Sequence, residues 1–444
     1  MDTLPDLTTA TRAELLAVIA AQQRTIAVLQ ERIGALEERL GPRGKGMPGL
    51  KPAASTRSKA GSKPRKRRAQ AFVRRRMAPT RTVTHAPAAC PDCGTALRGG
   101  WIKRRREVLE LPAVPVEVVE HRFLARTCPL CRRAVVAPAA DLGDAVVGKQ
   151  RLGPRLTSLI VTLREEGRLP VQVIRWYLGA VHRLRLSVGA IVRLCHQVAA
   201  RGQGTLAQIR EAVRASPLVH VDETGWRQTG VNGYVWTFTT PSERYFLRDT
   251  REGRVVDEVL GETFAGVLLS DFYAGYHHYP GRKQRCWTHL LRDIHDLTVA
   301  YPQDTGLHDW ATAVKEIYAE AVAARSDDPA VRRQAKQRFE ARLLDRCRPF
   351  LDDPLAVQRT LCRRIERHID ELFVFVSDPV VPPDNNAAER SLRHLVTIRK
   401  ISGGTRADRG TATRMANASL FGTWRARGLD PLTACHALLL APHP

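Results

Sequence analysis

The sequence predicts a multidomain α+β protein: an N-terminal coiled-coil helix, a metal-binding module, a helical region, and a mixed α/β core interrupted by a helical insertion. Three observations predict it. Apolar residues recur every seven positions near the N-terminus, two Cys-x-x-Cys pairs follow, and after Pro217 helical periodicity gives way to short apolar strands alternating with helices. At 444 residues, 43% hydrophobic and 26% charged, the chain has room for about three domains and an ordinary folded composition, which excludes wholesale disorder.

In residues 11–40, Ile19, Ile26, Ile33 and Leu40 stand seven apart, and Leu15, Gln22, Leu29 and Leu36 repeat at the same interval between them, forming an a/d seam. Thr11 and Glu14 make a capping-box start, and β-branched residues at a with Leu at d favour two parallel strands, so a dimerisation helix is expected. A single amphipathic helix packed on its own domain would show the same face, but residues 41–82 offer little to pack on. That stretch mixes Pro, Gly and Ser with basic runs and is expected to be a disordered linker. From Arg43 to Arg81 it carries 14 Lys and Arg and no acidic residue. Its densest part is Lys63, Arg65, Lys66, Arg67, Arg68, Arg74, Arg75 and Arg76. Charge runs are usually just solvated, yet a segment with no acidic partner gains much by neutralising phosphates, so sequence-independent DNA contact is the expectation.

Residues 83–140 hold the paired cysteines, Cys90/Cys93 and Cys128/Cys131. Turn-rich CPDCG and CPLC suit tetrahedral Zn²⁺, because soft thiolates bind it at four corners and leave no open position for catalysis. The 34 residues between Cys93 and Cys128 exceed compact zinc-finger spacing, and reduced structural thiols or redox use are the competing readings. The alternation between Val108 and Leu124 predicts a small hairpin carrying the second pair.

Residues 145–212 are expected to be helical. Residues 169–199 suggest two helices joined by a short turn, the second starting at Ser187, compatible with a helix-turn-helix and equally with an ordinary packed pair. Strands are predicted at 218–221, 234–240, 244–247 and 266–270, with a helix near 255–260 and a fifth strand at 284–289 leading into a helix at 290–297. Residues 213–297 and 373–425 would form the core, 298–372 the helical insertion, and 426–444 a C-terminal helix or tail.

The net charge of +25 points to a polyanion, nucleic acid before anionic membrane. No apolar run is long enough to span a bilayer, and Asp2 and Asp6 with no apolar core do not make a signal peptide, so a soluble intracellular protein is expected.

Against that basic background the acidic residues at strand ends stand out, since there a side chain leaves the core and faces a cleft. Asp222 ends LVHVD and Asp271 ends GVLLSD; on neighbouring strands their carboxylates would lie side by side. Glu389 follows in DNNAAERSLRHL, where Asp384 or Asn385 would cap a helix that sets Glu389 and Arg393 one turn apart. Three carboxylates with no matching cations repel one another unless hard divalent ions, Mg²⁺ or Mn²⁺, neutralise them; two such ions about 4 Å apart can run phosphodiester chemistry. Each residue also has a plain alternative: a strand-end Asp that caps a turn, a Glu389 that pairs with Arg393.

Four runs carry a resemblance: VHVDETGW (219–226), LLSDFYAGY (268–276), QRCWTHLLRDIH (284–295) and NNAAERSLRHLVTIRKISGGT (385–405). In this order and spacing they resemble the transposases of bacterial insertion-sequence family 66, and the heptad helix, basic linker, paired cysteines and helical region resemble that family's N-terminal parts. The resemblance implies a ribonuclease-H-like catalytic domain whose acidic triad falls on Asp222, Asp271 and Glu389, with two Mg²⁺ or Mn²⁺ ions. It implies metal-dependent cleavage at the element's ends and transfer of the freed 3′ hydroxyl into target DNA. Arg390, Arg393, Arg399 and Lys400 follow the glutamate in the family's pattern and would contact phosphates, while a solvated helix face is the alternative. Cys286 and His289 form a Cys-x-x-His motif that, without a second ligand pair, is expected to be structural. Expected partners are the element's terminal inverted repeats, target DNA, a second copy of the chain and accessory proteins of the same element, in the cytoplasm of a bacterium at its nucleoid. A zinc-containing DNA-binding regulator without catalysis is the alternative of a different class.

Overall fold

In a computed structural model of the chain, residues 78–111, 114–138, 151–262 and 264–441 are described, together with Gln23. The heptad segment and the basic run, with Lys63, Arg65, Lys66, Arg67, Arg68, Arg74, Arg75 and Arg76, lie outside the described residues. The chain divides into two compact units, Met1–Leu109 and Glu110–Pro444.

In the first unit the described residues are almost all exposed, and a bridge between Ala89 and Ala96 closes the turn that holds Cys90 and Cys93. The second unit begins with a small antiparallel hairpin, β1 (Ala125–Thr127) and β2 (Ala134–Val136), built around Cys128 and Cys131. The hairpin expected between Val108 and Leu124 is therefore displaced: no described residue of that stretch is in a strand, and the ladder forms on both sides of the second cysteine pair instead. Pro115, with no N–H to give to a ladder, sits within the stretch that alternation alone favours.

A helical layer follows: α1 (Pro154–Glu165), α2 (Val171–His182), α3 (Val188–Arg201) and α4 (Gln203–Arg214). Pro154 occupies the first turn of α1, where its missing N–H costs nothing. Arg183, at φ 53°, ends α2 in the left-handed region, and Ser187 caps α3 by accepting from the Ala190 N–H. That cap lies where the sequence placed it.

The sheet comprises β3 (Leu218–Gln228), β4 (Val231–Thr239), β5 (Arg244–Asp249), then, after α5 (Arg254–Leu260), β6 (Val267–Ser270) and β7 (Lys283–Arg285). Its order is β5-β4-β3-β6-β7, antiparallel between β3, β4 and β5 and parallel from β3 through β6 to β7. This α+β arrangement, a mixed five-stranded sheet with helices, is consistent with a ribonuclease-H-like core. β3 runs well past the Val221 expected from its apolar run, because β4 pairs with it from His220 to Gln228. Cross-strand partners sustain what the polar Asp-Glu-Thr-Gly sequence does not suggest. Thr229 and Gly230, both at positive φ, make the two-residue turn that the right-handed twist of a hairpin favours. β7 in turn is shorter than 284–289, since the helix after it starts three residues earlier than expected.

That helix is α6 (Trp287–Ala300), followed by α7 (Thr305–Ala323), α8 (Pro329–Cys347), α9 (Arg359–Arg367), and the short turns α10 (Ile369–Leu372) and α11 (Val374–Ser377). Asp304 and Asp328 cap α7 and α8 through their side chains. The chain then returns to the sheet as α12 (Asn386–Ser402), α13 (Asp408–Ala426) and α14 (Pro431–Leu440).

Alternation along the central strands sorts the cores. Val219, Val221 and Leu268 point to the face covered by Val255, Val256 and Val259 of α5, together with Trp236 and Phe238. Leu218, Val267 and Leu269 point the other way, into a cluster that continues through Trp287, Leu290 and Ile294 into the helices of 305–376. Near the hairpin, Trp226, Val235 and Phe246 pack on Leu392, Leu395 and Met415. Each such side chain removed from water contributes roughly 1.5–3 kcal/mol before entropy is counted. The free edge of β5 is closed by α13, whose Ser419 and Thr423 hydroxyls accept from the Phe246 and Arg244 N–H groups. Leu420, Phe421 and Trp424 of the same helix, with Cys435 and Leu439 of α14, complete the core of the helical layer.

Candidate active site

Register brings two of the predicted carboxylates side by side, and a helix brings the third near them. β3 and β6 pair in parallel with His220 level with Leu269, so that two residues further along each strand Asp222 stands beside Asp271. Asp222 lies mid-strand, opposite Thr237 of β4, whereas Asp271 is the first residue past β6. Glu389 comes from the first turn of α12. Burial, then neighbouring Glu223, Asp271 and Glu389, push the Asp222 carboxyl up to about 7. Each aspartate spends one oxygen on a backbone N–H, Asp222 Oδ1 on that of Glu223 and Asp271 Oδ1 on that of Tyr273, both at 2.8 Å. Neither Oδ2 has a protein donor among the described residues. No Lys or Arg pairs with any of the three there; Glu389 Oε1 is 3.8 Å from His289 Nε2. Among the described residues no three metal-ligating side chains are drawn close enough to hold an ion as they stand.

A fourth carboxylate, missed in the sequence, adjoins them. Glu223 has 2% of its side chain exposed, accepts from Arg251 through Oε1 (2.9 Å) and from the Tyr276 hydroxyl through Oε2 (2.6 Å). Both oxygens are taken, so Glu223 differs in kind from the triad although it follows Asp222 directly. The runs DETGW and DFYAGY held the signal, Glu223 in one and Tyr276 in the other.

Asn385 joins the elements that carry the acids. Its Oδ1 meets His220 Nδ1 at 3.0 Å, its Nδ2 donates to the Val221 carbonyl at 2.7 Å, and its N–H reaches Cys286 Sγ at 3.1 Å. It stands at the cap position of α12 without capping it; the Asn386 N–H goes to Asp384 Oδ1 instead. Cys286 thus has a structural task at the start of α6, one turn before His289. At the other end of α12, Gly403 and Gly404 at φ 73° and 116° let the chain meet β3: a Cβ on Gly404 would lie 2.1 Å from the Arg227 carbonyl oxygen. Thr405 then bonds Arg227 and Thr229 backbone groups and takes the Trp226 Nε1 proton.

The basic residues after Glu389 separate. Arg390, Arg393 and Lys400 are exposed, and Arg390 lines a cleft of about 610 Å³ with Arg244, Arg325 and Arg332. Arg399 is half-buried, its Nη1 donating to Thr224 Oγ1 (3.0 Å) and to the Gly225 carbonyl, which commits it to the sheet. In the helical layer, α3 buries Ile191, Leu194 and Val198, while Arg175 and Trp176 of α2 face solvent.

Within each cysteine pair the backbone folds alike. The Gly94 N–H donates to the Cys90 carbonyl and the Arg132 N–H to that of Cys128, with Gly94 at φ 72° and Arg132 at φ 55° directly after the second cysteine. Cys93 Sγ lies 3.2 Å from Thr95 Oγ1, and hydrogen bonds from Thr95 and Cys90 bring its thiol below the ordinary range. Backbone N–H groups of Cys131 and Leu130 do the same for Cys128. Thiols held down by N–H donors in tight turns are suited to a soft cation such as zinc, and the pairs have the form of zinc knuckles.

Among the described residues no helix is long and apolar enough to cross a membrane. Compared with known proteins, residues 149–413 match the family model described as Transposase IS66 family, and residues 87–132 match that of the zinc-finger binding domain of transposase IS66. The uncharacterized protein y4jD of Sinorhizobium fredii (strain NBRC 101917 / NGR234) is 26% identical over 212 residues, 43% of this chain and 40% of that protein. Protein y4jO of the same strain, also uncharacterized, is 28% identical over 174 residues, 39% of this chain and 51% of that protein. The chain thus spans about two fifths to one half of the length of these relatives.

Proposed function

The chain belongs to the IS66 family of DDE transposases, and from that premise we propose that Asp222, Asp271 and Glu389 are the catalytic carboxylates of a recombinase that cuts DNA at its element's ends and joins the freed 3′ hydroxyl to target DNA. The observation that carries this reading is that Asp222 stands beside Asp271 and feels the charge of both Asp271 and Glu389, with none of the three paired by Lys or Arg among the described residues, in a chain of net charge +25. Two Mg²⁺ or Mn²⁺ ions, when bound, would supply nucleophile activation and stabilisation of the leaving oxygen. The free Oδ2 atoms of Asp222 and Asp271 and the Glu389 carboxylate are the ligands offered. Glu223, with both oxygens engaged, is not. Tyr276 and Arg251 engage its carboxylate, and Asn385 ties the start of α12, which carries Glu389, to β3.

Arg390, Arg393 and Lys400 would contact phosphates beside this centre, and Arg399 would act from underneath by holding β3 to α12. Lys63, Arg65, Lys66, Arg67, Arg68, Arg74, Arg75 and Arg76 would add sequence-independent affinity, and the heptads of 11–40 a second copy. Cys90, Cys93, Cys128 and Cys131 would be zinc ligands with a structural role, each pair supplying two thiolates. Changing Cys90 and Cys93 to Ser is expected to lower the zinc content found by elemental analysis of protein purified without chelator; unchanged content would dismiss those ligands.

The test is strand cleavage of a labelled duplex carrying the element end, with Mg²⁺ or Mn²⁺, comparing wild type with Glu389→Gln. Cleavage by wild type only, and only with metal, is expected. Equal cleavage by both proteins would remove Glu389 from the chemistry, and tight binding with no cleavage by either would favour a DNA-binding regulator.

A further inference from the structure

Beside the three carboxylates lies a second cleft, of about 500 Å³, with Asp271 on one wall and helix α9 on the other. The α9 sequence RTLCRRIER buries Leu361, Cys362 and Ile365, which fixes the helix's rotation. Its remaining face then has no choice of direction: Arg363, Arg364 and Arg367 line the cleft. Arg364 is matched, pairing with Asp293 and lying 5.3 Å over the ring of Phe272. The other two have no close acidic partner. Arg363 donates to the Leu351 carbonyl at 2.9 Å and reaches Asp352 only at 3.8 Å, where both side chains are solvated. Arg367 is exposed and pairs with no carboxylate among the described residues. At the end of α9, the His368 ring lies 4.9 Å from that of His277, tilted against it, and both line the cleft.

A cleft with Asp271 at one end and, along its side, one guanidinium with only a distant solvated acid and one with no acidic partner among the described residues fits a polyanion that enters with one phosphate at the acids and the next at the arginines. Arginine is the side chain whose planar fork matches phosphate oxygens two at a time. We propose that Arg363 and Arg367 bind the phosphate adjoining the one cut, so that the insertion between Asp271 and Glu389 clamps the DNA strand at the active site. This rests on the reading of the triad given above and adds to it a binding function for the insertion.

The test uses the full chain, as wild type and as Arg363→Gln/Arg367→Gln, with a fluorescent duplex carrying the element end. Affinity is measured across a salt series, and cleavage in Mg²⁺ is followed in parallel. Both arginines are exposed, and circular dichroism checks that the double variant keeps its helices. The slope of log affinity against log salt should fall by about two, near one for each guanidinium that no longer neutralises DNA, and cleavage at moderate salt by roughly a hundredfold. A methylphosphonate replacing the adjoining phosphate should weaken the wild type as much, and the double variant no further. The same slope and cleavage in both proteins would overturn the proposal. So would a variant as sensitive as wild type to methylphosphonate at every position. Failure of the underlying reading shows differently: wild type then cleaves no better than Glu389→Gln, while the salt slope still reports whether the arginines hold DNA.

Discussion

Two sets of partly buried carboxylates in the second unit are handled in opposite ways. Glu165, at the end of α1, has 1% of its side chain exposed and lies 2.6 Å from Arg414 Nη1, with His394 behind it at 3.8 Å. Glu371 is held by Arg285, Lys283 and His368. Burial alone would raise both carboxyls, but their cationic partners outweigh it and bring Glu371 down to about 2. Asp222 is buried too, has acids for neighbours, and is pushed up instead. A structural carboxylate is thus given its counter-charge by the fold, whereas Asp222, Asp271 and Glu389 receive none from Lys or Arg among the described residues.

The largest effect expected from this difference is on chemistry. Asp222→Asn should reduce strand cleavage by about three orders of magnitude while DNA binding stays within a fewfold of wild type, both measured on one labelled duplex. Cleavage near the wild-type rate would erase the distinction.

Next comes stability. Arg414→Leu strands Glu165 without its cation and should cost roughly 3–5 kcal/mol in urea unfolding. Removing charge from the triad should do the reverse in metal-free protein, so equal losses from Arg414→Leu and Asp222→Asn would show that the triad is structural.

The two sets should also answer pH with opposite slopes. A carboxyl whose pKa is raised on folding keeps its proton while the unfolded chain releases it, so Asp222 subtracts stability as pH rises from about 4 to 7, by at most ~2–4 kcal/mol. Glu371 is depressed on folding, so its contribution is present above about 4.5 and is lost as pH falls toward 2. Melting of wild type, Asp222→Asn and Glu371→Gln over that range would separate them: the first variant should flatten the neutral limb, the second the acid limb. Mg²⁺ should raise the melting temperature of wild type and not of Asp222→Asn.

The smallest effect belongs to the carboxylate between the two kinds. Tyr276→Phe deletes one hydrogen bond to Glu223 and should cost about 1 kcal/mol of stability. If it costs cleavage a hundredfold, Glu223 belongs with the triad.

Much of this was legible in the sequence, for identifiable reasons. Ser187 before an amphipathic run marks a helix start through local chemistry, and the alternating strands declare themselves through burial. Asp222 and Asp271 stand out because they end apolar runs. What stayed hidden depends on partners distant in the chain. β3 continues through Asp222–Gln228 only because β4 lies beside it. Glu223 is distinguishable from Asp222 only once Tyr276 and Arg251 have come to it from 53 and 28 residues away. Asn385 resembles a helix cap in sequence, yet its side chain serves His220 and Val221, more than 160 residues earlier.

That dependence on late segments has a consequence for the protein as it is being made. Glu389 follows Asp222 by 167 residues, and the core of the helical layer is closed by Leu420, Phe421, Trp424 and Leu439. At synthesis rates of about 5–20 residues per second, roughly 10–30 s separate the emergence of the first acid from that of the third. Through that interval a nascent chain has the strands of the sheet but not Glu389, and neither the helical layer nor the edge of β5 is closed until α13 has left the ribosome. On the proposed reading, competence to cut would arrive only once α12 has emerged, shortly before α13 and α14 complete the fold.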